Sequence, residues 1–146
     1  MKDEFIQTVE QGLKKLRNEV EQYADDRSLW DISEGINNSA GNLCLHLLGN
    51  LNHYIGAKLG ETGYVRDRPS EFSSKNVQRE EVLRRIDQTV EAVNESLGKL
   101  SEQDLANNYP ADEGDEQRSI GAELLRIANH FNYHLGQINY LRRLNS

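Results

Sequence analysis

The sequence predicts an all-α fold, a four-helix bundle of up-down-down-up or up-down direction. Three observations carry this. Four long segments repeat apolar residues at spacings of three and four, the period of a one-faced helix. No stretch alternates apolar and polar residues with β-branched enrichment, so strands have no support. Only two prolines occur, Pro69 and Pro110, and both fall between the periodic segments.

The first helix is expected from about Asp3 to Tyr23, with Phe5, Val9, Leu13, Leu16, Val20 and Tyr23 in one stripe. The second runs from about Ser39 to Leu59. Its stripe is Leu43, Leu47, Leu51 and Tyr54, widened by Cys44, Leu48 and Ile55. The third runs from about Val77 to Leu100 on Val82, Ile86, Val90, Val93, Leu97 and Leu100. The fourth runs from about Ile120 to Leu144 on Ile120, Leu124, Ile127, Phe131, Ile138 and Leu141. Ser119 precedes it as an N-cap, its hydroxyl placed to accept from a free amide of the first turn. Residues 24–38, 60–76 and 101–118 read as connections, because they hold most of the turn formers. They are long for a bundle, and long connections are often functional.

Four such helices make one bundle, so residues 1–146 are expected to be one domain. Hydrophobic residues make up 36% and charged residues 28%, a globular composition. The net charge is −7, with no Lys/Arg cluster. That disfavours nucleic acid and anionic membrane surfaces, which both need a basic patch. No apolar run reaches the roughly 18 residues that span a bilayer. The start, MKDEFIQTVEQ, has acids where a signal peptide would have its charged-then-apolar pattern, so a cytoplasmic protein is expected. Cys44 is the only cysteine, so no internal disulfide is available. It lies on an apolar arc and reads as a small core residue.

The four histidines carry the chemistry. His46 and His53 lie on the second helix, His130 and His134 on the fourth. The i,i+4 spacing of His130 and His134 puts both rings on one face, the way a helix offers two imidazoles to one metal. His134 falls inside the apolar arc and His130 on its flank. Inward-facing imidazoles need partners or a metal, because a buried polar group without either is costly. His46 and Asn50 edge the stripe of the second helix, and Asn50 is expected there as a substrate-binding residue beside the site. His53 lies two turns on, about 10 Å along the axis. One of His46 and His53 is therefore expected to complete a site with the fourth-helix pair, and not both. Three neutral imidazoles leave an open coordination position, as in catalytic zinc sites, and imidazole suits nickel, iron and copper as well. With reference pKa values near 6.5, occupancy is expected to fall between roughly pH 6.5 and 5.

Other chemistry is thin. The only carboxylate on the inner face near the histidine pair is Glu123, two turns before His130, so the glutamate-rich di-iron pattern is absent. In RDRPSEF, Arg66, Arg68 and Glu71 are placed to dock an anionic substrate group at the mouth of the site, against the plainer reading of a solvated loop with local ion pairs. Trp30, the only tryptophan, reads as a staple of its connection onto the bundle.

Residues 38–56, NSAGNLCLHLLGNLNHYIG, resemble the second-helix motif of DinB-like proteins, and 130–143, HFNYHLGQINYLRR, resemble their fourth-helix HxxxH segment. The intervening RDRPSEF is similar to a segment of a DinB-like subfamily of unassigned function. The resemblance covers nearly the whole chain. It implies a DinB-like four-helix bundle with a divalent metal, zinc or nickel, on His46, His130 and His134. It implies a homodimer. It also implies relatives that transfer a low-molecular-weight thiol to an electrophile, so a metal-dependent thiol S-transferase is the leading expectation. The alternative is a non-catalytic stress-related or binding protein with a structural or opportunistic metal. Leu48 and Ile55, in the widened arc of the second helix, are the expected dimer contacts.

Overall fold

The structure is a computed structural model that describes residues 1–145. Its helices are α1 (Lys2–Gln22), α2 (Ala40–Leu51), α3 (Arg68–Ser73), α4 (Arg79–Gly98) and α5 (Ile120–Leu144). Beyond Leu51, α2 continues as a π-helical segment, Asn52–Ala57, and a last α turn, Lys58–Gly60. Short 3₁₀ turns occupy Ser28–Trp30 and Gln103–Ala106. Among the described residues there is no strand, only an isolated bridge between Asn108 and Ser119.

The expected helices are all present. Ser119 caps α5, its Oγ accepting from the Ala122 amide at 3.1 Å. Helix α3 lies in a segment expected to be pure connection. Six residues are too few to show a period, but its start is chemically marked. Asp67 accepts from the Ser70 amide, and Pro69 sits in the first turn, where a missing N–H costs nothing.

Pairwise contacts give the helix directions. Arg17 pairs with Asp87, and Arg79 donates to the Tyr23 carbonyl, so α1 and α4 are antiparallel. Gly12 lies against Phe131 and Glu19 against Arg142, so α1 and α5 are parallel. Asn52 bonds Thr89, and Lys99 donates to the Gly60 carbonyl, so α2 and α4 are parallel. His46 meets His130, and Tyr54 meets Arg126, so α2 and α5 are antiparallel. Each of α1 and α2 packs on both α4 and α5. The bundle is therefore up-down-down-up, with α1 and α2 on one diagonal.

This topology explains the long connections. The chain between α1 and α2 must cross a diagonal, as must the chain between α4 and α5. Between the parallel α2 and α4 it must return along the bundle, about 30 Å for a helix of this length. Helix α3 rides on that return and packs across α2.

Every residue of Ala40–Leu51 is buried, because α2 is covered by α3, α4, α5 and the Ser28–Trp30 turn. The width of its apolar arc reflects these neighbours. Leu48 and Ile55, expected at a dimer contact, lie instead inside the single chain at 4% and 0% exposure. Trp30 is a staple. Its ring covers Gly41, where a Cβ would collide with it, and its Nε1 donates to the Val77 carbonyl at 2.8 Å. Cys44 is buried in the core, and burial pushes its thiol up to about 12, so it carries no thiolate near neutral pH.

Candidate metal centre

Helix α2 presents His46 from its buried middle, and antiparallel α5 brings His130 and His134 opposite. The three rings meet edge to face, with centroids 4.7–5.2 Å apart. Nε2 of His46 lies 3.0 Å from Nε2 of His130. One ligand atom from each of the three falls within 4.8 Å of the others. Two imidazole nitrogens on one tetrahedral zinc stand about 3.3 Å apart, so the His46–His130 pair is near that spacing and small side-chain rotations would bring the third donor onto the same divalent ion. His46 is 6% exposed, while His130 and His134 are half-buried, so one side of the cluster faces solvent.

The outward nitrogens differ. Nδ1 of His46 lies 3.0 Å from Glu71 Oε1, and Nδ1 of His134 lies 2.7 Å from Gln137 Oε1. Each oxygen can accept an Nδ1 proton, which leaves Nε2 as the free donor atom. Nδ1 of His130 is buried with no partner among the described residues.

Burial, reinforced by the neighbouring His134 and His46, pushes His130 down to about 4. Burial also lowers His134, although its bond to Gln137 opposes this. For Glu71, burial acts to raise the pKa, but hydrogen bonds from His46 and Arg66 outweigh it and hold the carboxyl below its usual range. Both shifted histidines are therefore neutral and ready to ligate below pH 6.5.

The pH dependence has a definite sign. In the unfolded chain His130 protonates near 6.5, and in the fold near 4. Its contribution is intact above 6.5 and is lost progressively as pH falls to 4, because the unfolded state binds the extra proton. Urea unfolding of metal-free protein should show stability declining across that window, and His130→Phe should flatten the decline. An unchanged slope in the variant would remove His130 as the cause. Metal release is expected at lower pH than the roughly 6.5 to 5 window of ordinary imidazoles, for the same reason.

His53 stands apart. Its Nε2 is 3.7 Å from Asp112, and its ring lies edge-on to Tyr54. Asn50 is buried on α2 one turn after His46. Glu71, at 5% exposure, lies beneath the cluster, bound to His46 and to Arg66 at 2.8 and 2.9 Å. Arg68 is exposed, its guanidinium 5.2 Å from the Phe72 ring, which in turn packs 4.9 Å from His46. Glu123 is buried in ion pairs with Arg118 and Arg126, and no carboxylate joins the three-histidine group among the described residues. Sequence reasoning did not find the bonds of Glu71 to His46 and of Gln137 to His134. Gln137 sits three residues after His134, a helical spacing that could have signalled it.

The family described as "Protein of unknown function (DUF1572)" matches residues 1–145. No curated protein matches the chain. A similar solved structure is that of a DinB-like protein from Bacillus cereus ATCC 10987. It has a TM-score of 0.74 and 18% identity, and the alignment covers 96% of this chain and 89% of that one. The expected DinB-like bundle is thereby borne out at the level of fold.

Proposed function

Given that the chain belongs to the DUF1572 family and has the DinB-like fold, we propose that it is a divalent-metal-dependent enzyme, a thiol S-transferase. The observation that carries this reading is the convergence of three imidazoles beside a solvent-facing side. Three protein ligands with an open position characterise catalytic metal sites, whereas structural sites close all four. His46, His130 and His134 would hold the ion, zinc or nickel. When bound, such an ion lowers the pKa of a coordinated thiol or water and so supplies a nucleophile near neutral pH.

The chain's own residues supply the rest. His130 and His134 stay neutral and available as donors because burial disfavours their charged forms. Exposed Arg68, next to the ring that packs on His46, docks an anionic group of the thiol or of its electrophile. No helix among the described residues is long and apolar enough to cross a membrane.

The test is metal analysis of protein purified without a histidine tag, then a screen of low-molecular-weight thiols against electrophiles. One divalent ion per chain and metal-dependent thiol consumption are expected. Metal without turnover would support the non-catalytic alternative. In an active pair, Arg68→Ala should raise KM about tenfold with kcat little changed, the loss of roughly 1.5 kcal/mol from one charge-assisted bond.

We propose further that the protein is a homodimer. With Leu48 and Ile55 occupied inside the chain, the exposed apolar residues Ile36, Tyr133, Tyr140 and Leu144, which line a cavity of about 650 Å³, are where it would close. Sedimentation giving 16.7 kDa would exclude it.

A further inference from the structure

We propose that Glu71 is the positioning residue of the metal centre. Seated on Gly49 and clamped by Arg66, it holds the proton of His46 on Nδ1, so that Nε2 is left as the ligand atom. This rests on the metal reading above and concerns a carboxylate that does not itself touch the metal.

Four observations converge. First, Nδ1 of His46 lies 3.0 Å from Glu71 Oε1 and 3.3 Å from Arg66 Nη2. A carboxylate whose two oxygens both accept from the Arg66 guanidinium has no proton to give, so the shorter contact requires the proton on Nδ1. Second, Arg66 donates through Nε and Nη2 to the two oxygens of Glu71, which fixes the plane of the carboxylate. Third, a Cβ on Gly49 would overlap the Glu71 carboxylate, so the group reaches His46 only because α2 has no side chain there. Fourth, Asn42 Nδ2 donates to the backbone carbonyls of Glu71 and Ser74 at 2.9 and 2.8 Å. Asn42 is one turn before His46 and is itself held by Ser39 Oγ at 2.7 Å. So α2 carries the ligand, the notch that admits its partner, and the amide that ties down α3.

The consequence reaches His130. With its Nδ1 protonated, His46 can only accept at Nε2. In the metal-free protein the 3.0 Å contact then needs the His130 proton on Nε2. For His130 to hold a metal through Nε2, that proton would have to sit on Nδ1 instead, which is buried with no acceptor among the described residues.

Two readouts decide the proposal. Long-range ¹H–¹⁵N correlation spectra of the metal-free protein report imidazole tautomers directly. The Nδ1–H form of His46 is expected, and the Nε2–H form would overturn the proposal. Zinc affinity is the second readout. Glu71→Ala should weaken it by about 10–100-fold, the usual loss on removing such a partner, while Glu71→Gln should restore most of it, since its amide oxygen can still accept from Nδ1–H. A folded Glu71→Ala with parental affinity would overturn the proposal. If the parent binds no zinc, the metal reading fails, and the His46 tautomer still decides the role of Glu71. The tautomer needs no variant, so it also decides where Glu71→Ala does not fold.

Discussion

Replacing His46 by alanine should abolish tight zinc binding, with the dissociation constant rising by roughly two to three orders of magnitude. Structural four-ligand zinc sites bind with about 10–16 kcal/mol, or about 2.5–4 kcal/mol per ligand. Each factor of ten is about 1.4 kcal/mol. The cluster has three donors, and His46 is the only one from α2, so its loss leaves two nitrogens one helical turn apart on α5. His130→Ala should behave alike. His53→Ala is the control and should leave affinity unchanged, because its imidazole faces Asp112. Competition against a chromophoric chelator measures all three. Loss of zinc in His53→Ala with retention in His46→Ala would show that the second-helix ligand is His53.

Trp30→Ala should destabilise the fold by about 3–5 kcal/mol, the range for truncating a large buried aromatic. For a chain of this size the melting temperature should drop by about 10 °C. Trp30 is 9% exposed, and Leu29 beside it is fully buried. Its ring closes over Gly41 at the start of α2, and its Nε1 bonds the Val77 carbonyl just before α4. It thus fixes the diagonal crossing from α1 to both helices that flank the crossing. Trp30→Phe should lose less, because most of the packing remains and one hydrogen bond is worth about 1 kcal/mol. Zinc affinity should change by less than about tenfold in either variant, since the histidines sit on α2 and α5. Thermal melts followed by circular dichroism check this, and a shift under about 2 °C for Trp30→Ala would contradict the staple.

Legibility followed periodicity. The bounds of α5 are those expected, because twenty-five residues show their period and Ser119 marks the start. Helix α3 was missed, because six residues cannot show one. The π-helical stretch after Leu51 was also missed, because a local wide turn barely disturbs an apolar stripe.

By itself the sequence determined the helical class, the four bundle helices, and a histidine pair one turn apart, with His46 or His53 as the candidate third donor. These are local properties, set by side-chain period, capping and i,i+4 spacing. Tertiary structure decided the rest. The order of the helices around the bundle placed His46, and not His53, against the α5 pair. The burial of α2 on every side consumed Leu48 and Ile55, whose apolarity alone could not say which neighbour covered them. The return of the chain from α2 to the parallel α4 carried Glu71 across Gly49 to His46, a meeting of residues 25 positions apart. Such meetings depend on how helices pack, and a helical period records only which face of a helix is apolar, not which element will lie against it.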